Sequence, residues 1–315
     1  MGEGGFNRFK DRMRGRFGDS GYILLSPDRF PSCVTNEDIY TLKTDWLTDN
    51  VIAFWEEYLE REFLVNYQSA NIVLLRPSMS FMLLQTPDPR TLRDVLPDFT
   101  KTSHIFLPIN DCRNVNEAEG GTHWSLLLVS VVDGVAFHYD SLPPGNCDEA
   151  LQATQKLSHL LNKQLRFIHL DDSPVQENSS DCGVFVCLHM RHLLLKRLLM
   201  ANSSEKISMS LRGMRVNANN GRKEIVRIIE RFRKKGQRRR SSLLLLATVL
   251  ALPVLPLLFF PDSDFSARLR TEVWRDGEFL ARLSSTIAAI SPPTNVHHQI
   301  KEFMLRLVWG YQRAT

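Results

Sequence analysis

The chain reads as a mixed α and β protein of 315 residues. Two observations carry that expectation. Apolar residues recur at helical spacing through 49–60 and run all round the first turns of a segment beginning at Cys182, while 104–109, 124–132, 135–139 and 166–170 are short apolar runs of strand length. Asp133-Gly134 stands between two of those runs, a dipeptide that signals a β-hairpin with a two-residue type I′ turn.

Taken in order, residues 1–20 are Gly- and Arg-rich and predict a flexible basic arm, with order beginning near Tyr22. Val51, Phe54, Trp55, Tyr58 and Leu59 line one face of a helix over 49–60, with Trp46 in the turn before it. Residues 71–100 are apolar but carry prolines at 77, 87, 89 and 97, which predicts short helices, one opening at Pro89. His104–Ile109 is expected as a buried strand, followed by a loop over 110–122 and then the hairpin. Residues 148–162 predict a helix with Leu151, Leu157, Leu160 and Leu161 on one face. A strand at 166–170 and a polar loop over 171–181 lead to a long helix over 182–199, for which Asp181 or Ser180 is available as N-cap. A basic amphipathic helix over 221–235 presents Ile225, Ile228, Ile229 and Phe232.

The last 75 or so residues differ in kind. Residues 243–260 contain Thr248 as their one polar side chain and follow Arg238-Arg239-Arg240, a length and flank that suit a membrane span with its N-terminal side cytosolic. Pro253, Pro256 and the marginal length oppose that reading, and the soluble form is preferred.

The net charge of +4 comes from one place: removing the six basic residues of 233–240 turns it to −2, so bulk charge implies no nucleic-acid partner. The five cysteines, at 33, 112, 147, 182 and 187, are odd in number, irregular in spacing and without a Cys-x-x-Cys, so neither a disulfide framework nor a zinc site is expected. The first 20 residues have no apolar core of a secretory signal. A reducing compartment, cytoplasm or nucleus, is the expectation.

Three segments carry chemistry: Gly121-Thr122-His123-Trp124-Ser125, Tyr139-Asp140-Ser141, and Gln176 to Gly183. They supply a base, an acid, an amide and a thiol, the parts of a thiol hydrolase. Cys182 sits where a helix begins, and the free N–H groups of a helix N-terminus favour thiolate over thiol. Gly183 leaves backbone N–H groups accessible beside the sulfur, as an oxyanion site requires, and Gln176 offers a further N–H. Each residue also has a plainer reading. A histidine at a strand start is commonly structural, an aspartate at a strand end a turn residue, a cysteine a core thiol. Geometry also raises an obstacle. A two-residue turn makes Asp140 face Leu127, leaving His123 four residues away, roughly 13 Å at about 3.3 Å per residue. A triad therefore needs a wider turn, a bulge or a bend.

Jointly, the motifs resemble the Ulp/SENP family of cysteine proteases: Trp46-Leu47-Thr48-Asp49 before a helix, His123-Trp124, Tyr139-Asp140-Ser141, Gln176, and Asp181-Cys182-Gly183, in the family's order over about residues 20–236. Phe106 to Asp111 with Gly120 to Leu127 is more similar to the deneddylase branch than to the SUMO branch. The resemblance implies a papain-like α+β fold, a helical subdomain plus a mixed sheet, with a protease domain over 21–236 and a tail over 237–315 that it does not explain. It implies His123, Asp140 and Cys182 as catalytic triad, Gln176 as oxyanion donor, and Trp46 and Trp124 as the roof of a slot for a Gly-Gly tail. The implied activity is cleavage after the C-terminal Gly-Gly of a ubiquitin-like modifier, of NEDD type or alternatively SUMO, by a monomer without cofactor or metal. Two other classes stay open: an acetyltransferase with the same triad, using the basic helix at 222–235 as cofactor pocket, and a non-catalytic binder of ubiquitin-like proteins.

Overall fold

The computed structural model describes residues 22–23, 34–115, 120–201 and 207–251. The chain divides into two compact units, 1–239 and 240–315. The expected arm over 1–20 lies outside the described residues.

In the first unit a short antiparallel pair, β1 (Tyr22–Ile23) and β2 (Val34–Thr35), leads into α1 (Asn36–Thr44). Thr35 caps α1 in a reciprocal box: its hydroxyl accepts from the Asp38 N–H, and the Asp38 carboxylate accepts from the Thr35 N–H at 2.7 Å. The helix expected over 49–60 is α2 (Asp49–Glu62). Its apolar face buries Val51, Phe54, Trp55 and Leu59, and the Trp55 indole N–H reaches the Cys187 carbonyl at 2.8 Å. Prolines 77 and 89 each open a helix, α3 (Pro77–Gln85) and a 3₁₀ turn (Pro89–Leu92).

The main sheet has five strands, ordered β3 (Ile72–Leu74), β4 (His104–Asn110), β5 (Trp124–Ser130), β6 (Val135–Tyr139) and β7 (Arg166–His169). The outer pairs are parallel and the two central pairs antiparallel. Both faces are covered, which is why the central strands read as unbroken apolar runs. Phe106, Leu126, Leu128 and Tyr139 pack with α2, α5 (Cys182–His192) and α6 (Ala218–Ala251). Ile105, Leu107, Leu127, Val129 and Ala136 pack with α3 and α4 (Cys147–Leu161). Ile225, Ile228, Ile229 and Phe232 are all buried, as their spacing predicts.

Several expectations need correction. The hairpin pairs Ser130 with Val135, so four residues turn, not two. Asp133 accepts a hydrogen bond from the Ser130 hydroxyl at 2.5 Å across the turn, and the Val131 N–H continues the β4–β5 pairing to the Ser103 carbonyl. Leu151 points to solvent, and small residues, Ala150 and Ala153, line the inner face of α4 instead, where the helix lies close on the sheet. The helix from Cys182 changes to π geometry at Leu193–Leu198. Neither proposed N-cap closes its first turn, because the Asp181 carboxylate is engaged elsewhere. Strand β3 lies in the 71–100 stretch whose prolines predict short helices, and the last helix begins at Ala218, three residues before its expected start. The last helix also runs past 235 to Ala251.

Of the second unit only residues 240–251 are described, as helix. The apolar stretch 243–260 therefore lies partly outside the described residues. Among those described, no helix is long and apolar enough to cross a membrane.

Candidate active site

The wider hairpin brings the acid to the base. Extending the observed register by one step sets Asp140 opposite Ser125, two residues from His123, so both side chains rise from one face of the sheet about 7 Å apart along the strand. His123 Nε2 lies 2.7 Å from Asp140 Oδ1. Both residues are buried.

Each member of the pair is held by backbone. Asp140 Oδ1 also accepts from the Leu142 N–H at 2.8 Å, and Oδ2 from the Asn146 N–H at 3.0 Å. The Asn146 amide donates to the carbonyls of Ile109 and His123. On the other side Asp111 accepts from the N–H groups of Thr122 and His123 and from the Thr122 hydroxyl. Gly145 closes over the pair: a Cβ there would lie 2.6 Å from Asp140 Oδ2 and 2.7 Å from His123 Cδ2.

On its other side the imidazole donates a hydrogen bond to the Cys182 sulfur. Burial alone would lower the His123 pKa, but hydrogen bonds to Asp140 and Cys182 outweigh it and push it up to about 9. Burial would raise Asp140, yet the bonds from His123, Leu142 and Asn146 hold its carboxyl below the usual range. His123 thus carries a proton at neutral pH, and Asp140 is ionised.

Cys182 is the first residue of α5, with no side chain capping the turn that follows. A capping carboxylate would compete for the N–H groups that an oxyanion needs. Instead the Asp181 carboxylate accepts from Arg222 Nε at 2.8 Å and from Asn178 Nδ2 at 2.9 Å. Arg222, buried on α6, also donates to the carbonyls of Leu42, Asp45 and Ser180. It fastens the residues before Cys182 to those before Trp46. Gly183 has a second role besides leaving N–H groups open: a Cβ there would lie 2.7 Å from Leu47 Cβ.

Gln176 is buried in the loop beside the pair. Its Oε1 accepts from the Ser141 hydroxyl at 2.6 Å, its Nε2 donates to the Asn178 carbonyl at 2.5 Å, and its backbone N–H binds the Ser141 carbonyl. Ser141 follows Asp140 directly, so acid and amide are referenced to one another. Trp46 donates from its indole to the Ser179 carbonyl at 2.8 Å, and Trp124 to the Leu47 carbonyl at 3.1 Å. Both indoles therefore tie together the segments that converge on Cys182.

Six residues singled out in the sequence are thus gathered at one place. Missed were Asp111, Gly145, Asn146, Ser141 and Arg222. Asp111 ends the run Phe106 to Asp111, but nothing in the spacing marks it as a clamp on the His123 backbone. On the basic helix at 222–235, Lys223, Arg227, Arg231, Lys234 and Lys235 are exposed, and the other basic residues are engaged. Arg222 is spent on Asp181, Arg233 pairs with Glu230 at 2.7 Å, and Arg231 lies over the Phe232 ring. Behind Asp140, His138, Cys147 and His169 bring three metal-ligating atoms within 4.8 Å of one another.

The description "Ulp1 protease family, C-terminal catalytic domain" matches residues 45–209, which include all six of these site residues. NEDD8-specific protease 2 of Schizosaccharomyces pombe is 38% identical over 188 residues, covering 58% of this chain and 45% of that protein. NEDD8-specific protease 1 of the same yeast is 35% identical over 177 residues, covering 54% of this chain and 41% of its own. Human Sentrin-specific protease 8 is 34% identical over 146 residues, covering 45% of this chain and 67% of that protein. The chain spans less than half the length of the two yeast relatives.

Proposed function

The chain belongs to the Ulp1 protease family, and from that premise we propose that it is a cysteine isopeptidase and processing peptidase that cleaves after the C-terminal Gly-Gly of a NEDD8-type modifier. The observation that carries the reading is His123, held between Asp140 at 2.7 Å and the Cys182 thiol. The names of the yeast relatives, both NEDD8-specific, support the choice of modifier.

In this reading the proton of the Cys182 thiol already resides on His123, and the thiolate attacks the carbonyl of the terminal glycine. The tetrahedral oxyanion is met by the Cys182 N–H, which no side chain caps, and by the Gln176 amide. The imidazolium gives its proton to the leaving amine, the amine departs, and a thioester remains. Water, deprotonated by His123, then releases the modifier carboxylate and restores the thiolate. Asp140 holds one tautomer throughout and stabilises the imidazolium. Trp46 and Trp124, at the approach to Cys182, would exclude side chains from the last two substrate residues, so that glycine passes and larger residues do not. A reducing compartment, cytoplasm or nucleus, is part of the same proposal, since the nucleophile must remain a free thiol.

Rates of release of a fluorophore from the C-terminus of NEDD8 and of SUMO test the reading. NEDD8 should be turned over with the higher kcat/KM. Faster SUMO release would reverse the substrate choice, and release from neither would remove the peptidase.

A further inference from the structure

His138, His169 and Cys147 lie far apart in the chain without a metal-binding spacing, and strand pairing assembles them. His138 on β6 is the register partner of His169 on β7, and Cys147 opens α4, which packs against that part of the sheet. The two imidazoles face each other with their Nδ1 atoms 3.0 Å apart, and the thiol completes the group. We propose that these three side chains form a site for a soft divalent cation of the zinc class, with the fourth position open to water.

The geometry suits that chemistry. Two nitrogens each about 2.0–2.1 Å from a tetrahedral ion lie about 3.3–3.4 Å apart, so the observed rings need to part by a few tenths of an ångström. His138 turns its other nitrogen to a hydrogen-bonded outer partner, as zinc-binding histidines do, and a carboxylate stands near that of His169. His138 Nε2 lies 2.9 Å from the Ser125 hydroxyl, and His169 Nε2 lies 3.7 Å from an Asp171 carboxylate oxygen. With Nε2–H donated to Ser125, His138 presents a lone pair at Nδ1. The ion replaces the proton now shared between the two Nδ1 atoms, which moves to His169 Nε2 on the Asp171 side. Burial holds the His138 pKa down at about 4, so this ring has no proton to lose at neutral pH. Burial raises the Cys147 thiol, and so binding converts thiol to thiolate and releases one proton to solvent. His138 is fully buried while Cys147 and His169 are half-buried, which leaves an approach for ion and water. The site also touches the catalytic pair through the backbone: His138 precedes Asp140 by two residues, and Cys147 follows Asn146, whose N–H binds Asp140. An ion here would pin β6, β7 and α4 together behind the acid.

The test uses the full chain carrying Cys182→Ala, so that the thiol beside His123 cannot serve as a competing ligand. Calorimetric titration with Zn²⁺ in two buffers should give one ion bound and about one proton released per chain. Cys147→Ser and His169→Ala, each added to that chain, should weaken binding by more than roughly 100-fold, beyond the 10–100-fold that loss of an outer partner costs. Affinity unchanged in both variants overturns the site. A second readout needs no further variant: saturating Zn²⁺ should protect Cys147 from alkylation, read by peptide mass spectrometry. Equal alkylation with and without Zn²⁺ overturns the proposal even where the variants fail to fold. Because neither readout involves substrate, failure of the peptidase reading leaves this test intact.

Discussion

His123 Nε2 and Asp140 Oδ1 lie 2.7 Å apart because the hairpin between their strands turns over four residues. A two-residue turn would leave them roughly 13 Å apart. A turn wider by an even number keeps both side chains on the same sheet face. Ser130 and Asp133, which hydrogen-bond across the turn, thus set the spacing of the catalytic pair from its far end.

Asp140→Asn should lower turnover by about 10³–10⁴, the cost of losing the correct imidazole tautomer. It should also move the alkaline limb of the kcat/KM profile, set in the wild type by His123 at about 9, to lower pH. The stability sign follows from the same shifts. The raised His123 pKa contributes stability that is complete below the unfolded value near 6.5 and lost as pH rises through about 9. The lowered Asp140 pKa contributes stability present above 3.8 and lost as pH falls through its folded value. Urea midpoints between pH 7 and 10 should therefore fall less in Asp140→Asn than in the wild type. An equal fall in both would contradict the assigned coupling.

Gly145→Ala should fold and yet lose about 10²-fold in turnover. The added methyl meets the two catalytic side chains themselves, and a displacement near 1 Å is enough for such a loss. Wild-type kcat in a folded variant would mean that the loop yields instead of the pair.

Gln176→Ala should lose roughly 10²–10³ in kcat, the usual cost of one oxyanion donor. Ser141→Ala keeps the amide and removes only the hydroxyl that orients it, so its loss should be smaller. Measured with a fluorogenic modifier, the reverse order would place the oxyanion donor elsewhere.

Arg222→Ala removes a buried cation and strands the Asp181 carboxylate. The loss should be about 3–5 kcal/mol, on the order of 10 °C in Tm for a domain of this size. A thermal shift within a degree of wild type would show that the anchor is dispensable.

The parts of this site were legible in the sequence because thiol chemistry demands particular residue types, and these stand in short motifs. Helices α2 and α5 were legible because their apolar residues follow one period or saturate every position. Their assembly was not. The distance from His123 to Asp140 depends on where the ladder ends, and Ser130 and Asp133, which bond across the turn, lie at that end. Gly145 matters through two atoms that contact it only in the folded chain. Arg222 reads as one more charge on a basic helix until Asp181 is seen beneath it. His138, Cys147 and His169 have no metal spacing, since strand pairing and a helix start bring them together.

The most direct test of the account is covalent. The wild-type chain, a Cys182→Ser variant and a NEDD8 probe ending in a Gly-Gly vinyl sulfone are incubated separately in pairs, and the adduct is located by peptide mass spectrometry. The account predicts one modifier per wild-type chain, attached at Cys182, and none on Cys182→Ser. Equal labelling of the two chains, or an adduct on Cys112, Cys147 or Cys187, would contradict it.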